Sequence, residues 1–301
     1  MTQAARTAAF EPPTWTTATR PAVPYLGQQG WNTSTNQLEV WNGVNWQAIG
    51  GLGVAFTVSF LIVGGGGGGG GNDRGAGGGA GGYISETTTF NYGTTYPIVV
   101  GAGGVAVTNG SNSSIGLLTA YGGGGGGQNG TIAKSGASGG GAWYNGNPPG
   151  TAIYGTQGRN GGTGATDMVS YGASGGGGGA GANGTNAAAN VGGAGSGGVG
   201  LPNSITGTSV FYAGGGGGTS DTANAAGGNG GGGAGGVAGT ANTGGGGGGG
   251  NGSAGRNGGS GVVILSIPTV SYSGAYTGAP VITTSGANTI LRFNASGSYT
   301  A

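Results

Sequence analysis

Eight consecutive glycines at residues 64–71 set the first constraint on this chain, and they do not stand alone. Further glycine runs occupy 122–127, 139–141, 175–179, 214–218, 230–233 and 244–250, and glycine makes up 89 of the 301 residues. An ordinary globular protein carries roughly 7% glycine. Glycine has no side chain to bury and loses the most backbone entropy on ordering, so a conventional core cannot form in these runs. Backbone hydrogen bonding must replace it.

A collagen triple helix is excluded. It needs glycine at every third position with abundant proline, whereas here there are 10 prolines and stretches such as Ala187-Ala188-Ala189-Asn190. Flexible linker behaviour is a standing alternative for glycine-rich tracts. Against it are strand-like segments on both sides of the region. A glycine run can instead adopt the polyproline-II backbone, with three residues per turn, about 3.1 Å rise and no internal hydrogen bonds. Packed side by side, such helices satisfy each other's N–H and C=O groups, and only glycine allows so close an approach. Weak Cα–H···O contacts add to this. The competing arrangement is a stack of loops on a β-framework with glycines as turns.

Composition divides the chain into four regions. Residues 1–19 form a polar arm with Pro12-Pro13 and Trp15. Residues 20–50 form a small β-module: Gln37 to Trp41 has strand character, and Asn42-Gly43 is a hairpin signal because both residues accept positive φ. Residues 51–267 form the glycine-rich domain. It opens on a strand in which Phe56, Val58, Phe60 and Ile62 alternate with other residues, and closes on a second strand at 261–267. A short strand at 97–100 lies between them. Residues 268–301, with Tyr272, Val281-Ile282, Ile290-Leu291-Arg292-Phe293 and Tyr299, read as a hairpin or meander capping the chain. The expected fold class is mostly β and irregular, with a polyglycine-II helix sandwich framed by strands.

Several chemistries are excluded or disfavoured. With no histidine and no cysteine, catalytic triads and nearly every zinc site are absent, and no disulfide can form. No catalytic residue, metal or cofactor is expected. The six acids, Glu11, Glu39, Asp73, Glu86, Asp167 and Asp221, are far apart in sequence, although a fold could pair two for glycoside hydrolysis. Seven basic residues are scattered along the chain for a net charge of +1, so no nucleic-acid partner is expected. The longest apolar stretch, near 54–63, is far short of the ~20 residues of a membrane-spanning helix. Residues 1–6 have no apolar signal-peptide core. Repeated G-x-G-x-x-G matches follow from composition. Lys134-Ser135 fails as a phosphate-loop ending because Gln128 and Ala133 stand where glycines are required. Asp73-Arg74 reads as a solvated turn rather than a specific receptor contact.

Because glycine tracts present few side chains, chemistry is expected on the loops that join them. There lie Trp143, Tyr144, Tyr154, Tyr171, Phe211 and Tyr212 among Asn, Ser and Thr. Aromatic rings with amide and hydroxyl neighbours suit sugar and protein surfaces. The same rings could equally plug the tract ends.

Two resemblances carry a functional expectation. The string G-W-N-T-x-T-x-x-L-E-V-W-x-G-x-x-W, which holds Trp31, Trp41 and Trp46, resembles a short β-module of phage tail fibres and other virion proteins. It implies a virion-attachment role for those tryptophans. The succession from Phe60-Leu61-Ile62-Val63 into the first glycine run, Val99-Val100-Gly101-Ala102-Gly103-Gly104, and Gly258-Gly259-Ser260-Gly261-Val262-Val263-Ile264-Leu265 resembles the glycine-rich domain of phage tail-fibre proteins. More distantly it is similar to tip adhesins with a polyglycine-II sandwich. The resemblance implies a non-enzymatic virion surface protein, assembled in the host cytoplasm. Its implied partners are other virion proteins and a bacterial surface glycan or outer-membrane protein, and a homotrimer is compatible with a fibre. The alternative is a purely structural decoration, collar or fibre-spacer protein.

Overall fold

A computed structural model describes residues 12–35, 37–48, 55–165, 172–188 and 193–301. The described fold is β-strand and irregular, and its only helices are three single 3-10 turns.

Four short strands, β1 (Thr14–Trp15), β2 (Gln29–Asn32), β3 (Gln37–Trp41) and β4 (Trp46–Ala48), form a sheet in that order. The turn after β3 closes where Asn42 Oδ1 accepts from the amides of Val44 and Asn45, with Gly43 at φ +96°. Trp15 lies flat over β2. A Cβ on Gly30 would come within 2.0 Å of its ring, so the Gly30-Trp31 step needs glycine.

The glycine-rich region rests on a two-sheet sandwich. Its strands are β5 (Phe56–Val63), β6 (Tyr83–Phe90), β7 (Thr95–Val99), β8 (Ser113–Ile115) and β9 (Leu118–Ala120). After a separate hairpin of β10 (Leu201–Asn203) and β11 (Val210–Tyr212) come β12 (Val262–Pro268), β13 (Ala275–Thr277), β14 (Val281–Ser285), β15 (Asn288–Phe293) and β16 (Gly297–Thr300). One sheet has the order β14-β15-β12-β5-β6 and the other β13-β16-β7-β8-β9. The residues after 268 therefore supply strands to both sheets, beside strands from residues 56–120.

Strand β5 shows how this framework is built. Phe56, Val58, Phe60 and Ile62 point into the core between the sheets, with Val263, Leu265, Leu291, Phe293, Phe90 and Tyr299. The alternation expected from the sequence is present over the first half. Toward its end Leu61 and Val63 are buried as well, on the opposite face, with Val262, Ile264, Ile290 and Ala80, Ala180 and Ala213 of the glycine region. The first sheet is covered on one face by the second sheet and on the other by glycine tracts, which is why its central strands are apolar on both sides.

The tracts themselves pack as threefold helices. In run 64–71 the amides of Gly64, Gly67 and Gly70 donate to the carbonyls of Gly82, Gly79 and Ala76. Those of Gly65 and Gly68 donate to Ser111 and Thr108, and those of Gly66 and Gly69 to Gly259 and Arg256. Every third residue faces the same neighbour, as a three-residue turn requires. The carbonyls repeat the pattern. Those of Gly65 and Gly68 accept from Gly123 and Gly126, those of Gly66 and Gly69 from Gly104 and Val107, and those of Gly67 and Gly70 from Gly247 and Gly250. One tract thus donates to three antiparallel neighbours and accepts from three parallel ones.

Close approach explains the residue choice. A Cβ on Gly66 would lie 2.1 Å from the carbonyl oxygen of Gly245, and one on Gly67 2.2 Å from that of Gly124. At the border of the lattice, asparagine side chains take over the missing neighbour's role. Asn112 and Asn109 accept from the amides of Gly122 and Gly125, and Asn183 and Asn186 from those of Asn160 and Thr163. Both pairs keep the spacing of three.

Candidate functional site

The hydrogen-bond registers fix which turns share an end. Run 64–71 leaves β5, and 76–82 leads back to β6, so the turn at 72–74 lies at the end remote from the sheets. Ser138 and Gly141 pair with Ala80 and Gly77, Gly216 with Gly78, and Gly247 and Gly250 with Gly67 and Gly70. These alignments carry the turns that follow, at 143–149, 220–223 and 251–253, to the same remote end. The amide of Asn72 reaches the carbonyl of Ser253 at 2.8 Å, and Asn251 Nδ2 that of Ser220 at 3.0 Å.

Arg74 ties this end together. Its Nε donates to Asp221 Oδ1 at 2.6 Å and its Nη1 to Asp73 Oδ2 at 2.8 Å, bridging 147 residues of sequence. Its guanidinium lies 4.7 Å from the centre of the Tyr144 ring. The Tyr144 hydroxyl reaches Asp73 Oδ2 at 3.2 Å, Trp143 Nε1 donates to the Asp73 carbonyl at 2.7 Å, and the two rings contact each other. The Ser174 hydroxyl donates to the Arg74 carbonyl, and the Gly172 amide to Asp221 Oδ2. The Asp221 hydrogen bond, opposed by burial and helped by the charge of Asp73, holds the Arg74 pKa above its ordinary value. Burial pushes the Tyr144 hydroxyl up, with Arg74 opposing and Asp73 assisting. Arg74 and Asp221 are therefore more than a solvated turn: they clamp loops that the sequence leaves far apart. No sequence pattern announces the pair, because it exists only once the tracts are in register.

The structure separates the aromatics singled out from the sequence. Trp143 and Tyr144 are at the remote end, Trp143 buried with 6% exposure and Tyr144 half-buried. Tyr154, Phe211 and Tyr212 belong to the sheet end. Tyr154 stacks on Tyr121 at 3.7 Å and is 38% exposed, Phe211 is 40% exposed, and Tyr212 is a core residue at 2% between the first sheet and the glycine region. Burial pushes the Tyr212 hydroxyl pKa up, with the charge of Arg292 opposing. Tyr171 lies outside the described residues.

In the N-terminal module Trp15, Trp41 and Trp46 form one cluster, and Trp31 stands outside these ring contacts. Trp46 contacts Trp15 at 4.6 Å and Trp41 at 5.7 Å, and Trp31, Trp41 and Trp46 are each half-buried. Beneath them Glu39, 3% exposed, accepts from Arg20, from Trp15 Nε1 at 3.2 Å and from Asn32 Nδ2 at 3.0 Å. Burial disfavours its charge, yet the bonds from Arg20, Trp15 and Asn32 outweigh that and hold the carboxyl below the usual carboxylate range. Among the described residues no hydrogen bond joins 12–48 to the rest. The two meet across a shallow cleft lined by Gln37, Ala48, Tyr92, Val270 and Tyr272.

Among the described residues no three acids are close enough to hold a metal ion, and no helix is long and apolar enough to cross a membrane. No curated protein and no solved structure matches the chain. One family does match, described as a glycine-rich domain, over residues 46–268, from the last strand of the module to the end of β12. That span contains the whole lattice and its clamped loops, and the chain belongs to this glycine-rich domain family.

Proposed function

We propose that this chain is a non-enzymatic surface protein of a bacteriophage virion. It is a tail-fibre-type adhesin that meets a host surface glycan or outer-membrane protein with the loops at the remote end of its glycine lattice. The observation that carries this reading is the gathering of the turns 72–74, 143–149, 220–223 and 251–253 at the end opposite the sheets. A lattice of backbone contacts tolerates almost no change inside but leaves its turns free to vary, which suits a recognition surface. The Tyr144 ring, the carboxyls of Asp73 and Asp221 and the surrounding asparagines supply broad contact and adaptable hydrogen bonds. The tryptophan module, joined to the rest by few contacts, suits docking to another virion protein. The two acids that the fold brings together at this end, Asp73 and Asp221, are both engaged by Arg74, which supports a binding surface over a catalytic pair.

Purified chain added to bacteria is expected to bind cells and to slow adsorption of the parent particle as a competitor. Folded protein that does neither would overturn the adhesin. Tyr144→Ala then separates it from the structural alternative. Lost adsorption by intact particles supports recognition, whereas failed particle assembly supports a decoration, collar or spacer role.

A further inference from the structure

The edge of the first sheet holds a cation with nothing to answer its charge. Arg292 of β15 stands opposite Val281 of β14, and Ile290 stands opposite Thr283, so these four side chains share the face turned toward the glycine region. On the inner strands that face is covered by Ala80, Ala180, Tyr212 and Ala213. At the β14 edge it is covered only in part, by the loop between β10 and β11. That loop turns at Gly207, φ +93°, beside Ser285.

A groove of about 350 Å³ remains, lined by Thr206, Thr208, Thr283 and Thr284 above a floor of Val210, Tyr212 and Ile290, with Arg292 at its side. Arg292 makes no ion pair among the described residues. Its Nε is buried without a hydrogen-bond partner, and its Nη2 reaches only the Asn242 carbonyl, at a marginal 3.5 Å. A buried donor on a charged group left unpaired is costly, and the side chain that carries it lines an open, hydroxyl-rich groove.

We propose that this groove is a binding site for a single carboxylate-bearing sugar unit of the hexuronate kind. A guanidinium fork matches a carboxylate with two parallel hydrogen bonds, which a lone ammonium cannot do. Threonine hydroxyls both donate and accept, as ring hydroxyls require, and the exposed Val210 and Val281 offer apolar contact to the C–H face. The volume lies at the low end for ligand sites and fits one ring rather than a chain. The groove belongs to the sheet end, away from the clamped loops, and its occupancy is independent of whether those loops bind a receptor.

The test is an NMR titration of the full chain with glucuronate, glucose and acetate in parallel. Glucuronate is expected to shift the resonances of Thr206, Thr208, Thr283 and Ile290. Glucose and acetate, which each carry half of the recognised chemistry, are expected to bind at least about tenfold more weakly, the loss of one charge-assisted bond. Arg292→Gln is expected to abolish the glucuronate shifts. Thr283→Val, on the exposed edge strand where folding is not at stake, is expected to weaken them severalfold. Equal binding of glucose and glucuronate, shifts confined to other surfaces, or undiminished binding by both variants would overturn the site.

Discussion

The two-sheet sandwich and the glycine lattice share a boundary and are held together in opposite ways. In the sandwich, side chains do the packing: Phe60, Leu265, Phe293 and Tyr299 fill the space between sheets, and the backbone pairs only within each sheet. In the lattice the backbone does both jobs. Each residue from Gly64 to Gly70 faces a neighbouring tract with its amide or carbonyl, and the side-chain positions are filled by other backbones. The first arrangement has a period of two and tolerates exchange between apolar residues of similar volume. The second has a period of three, and its glycine positions, such as Gly66 and Gly67, tolerate no side chain. Burial as such is therefore a poor guide to hydrophobicity in this molecule.

The largest effect is expected where the lattice is tightest. Gly67→Val would set a branched side chain against the Gly124 carbonyl, 2.2 Å from the Cβ, and neither tract can retreat without breaking its other bonds. Destabilisation of about 5 kcal/mol or more is expected, at the exceptional end of single substitutions. A thermal melt within a few degrees of the parent would show that the tracts are not close-packed.

Phe60→Ala probes the sandwich by the opposite route, a cavity instead of a clash. A loss of about 3–5 kcal/mol is expected by denaturant titration. Amide exchange should then separate the two regions, with sandwich amides exposed before those of lattice glycines remote from β5. Simultaneous exposure would mean one cooperative unit.

Acid distinguishes the N-terminal module from both. The folded Glu39 carboxyl titrates below its ordinary value of 4.5. Its stabilisation is complete above that value and is lost as pH falls through the depressed pKa. Tryptophan fluorescence should stay constant from neutral pH down to about the unfolded carboxylate value and change only in stronger acid. A transition at higher pH would contradict the buried Arg20–Glu39 pair.

Arg74→Ala should cost little overall, about 1 kcal/mol or less, because its ion pairs are partly open to solvent and screened. The change should show locally, as faster amide exchange at 72–74, 143–145 and 220–222. Unchanged exchange there would remove Arg74 as the clamp. The smallest effect is expected for Gly116→Ala, at φ +55° with nothing within 4 Å of a Cβ. About 1 kcal/mol of left-handed strain is partly offset by a less flexible unfolded chain. A loss as large as that for Gly67→Val would mean that glycine is required for its torsions rather than for close approach.

Much of the β framework was legible beforehand, since Phe56, Val58, Phe60 and Ile62 alternate and Asn42-Gly43 is a turn whatever surrounds it. Less of the candidate site was. Trp143, Tyr144, Tyr154, Phe211 and Tyr212 all read alike as loop aromatics, yet Trp143 and Tyr212 are buried and Phe211 is exposed. A strand of three residues such as β11 has too short a pattern to show which face is covered. Arg74 and Asp221 were invisible as a pair because 147 residues separate them.

From the sequence alone it followed that the glycine runs could not build a side-chain core, that strands would frame them, and that histidine and cysteine chemistry was absent. Those conclusions rest on what each residue type can and cannot do locally. Only the tertiary structure decided which tract lies beside which, and with that the clamped loops at one end and the unpaired Arg292 at the other. Glycine tracts carry no side-chain labels, so one run could pair with any other. Register is set by the lengths of the turns, the asparagines at the border and the strands that anchor the first and last tracts, and these act together only in the folded chain.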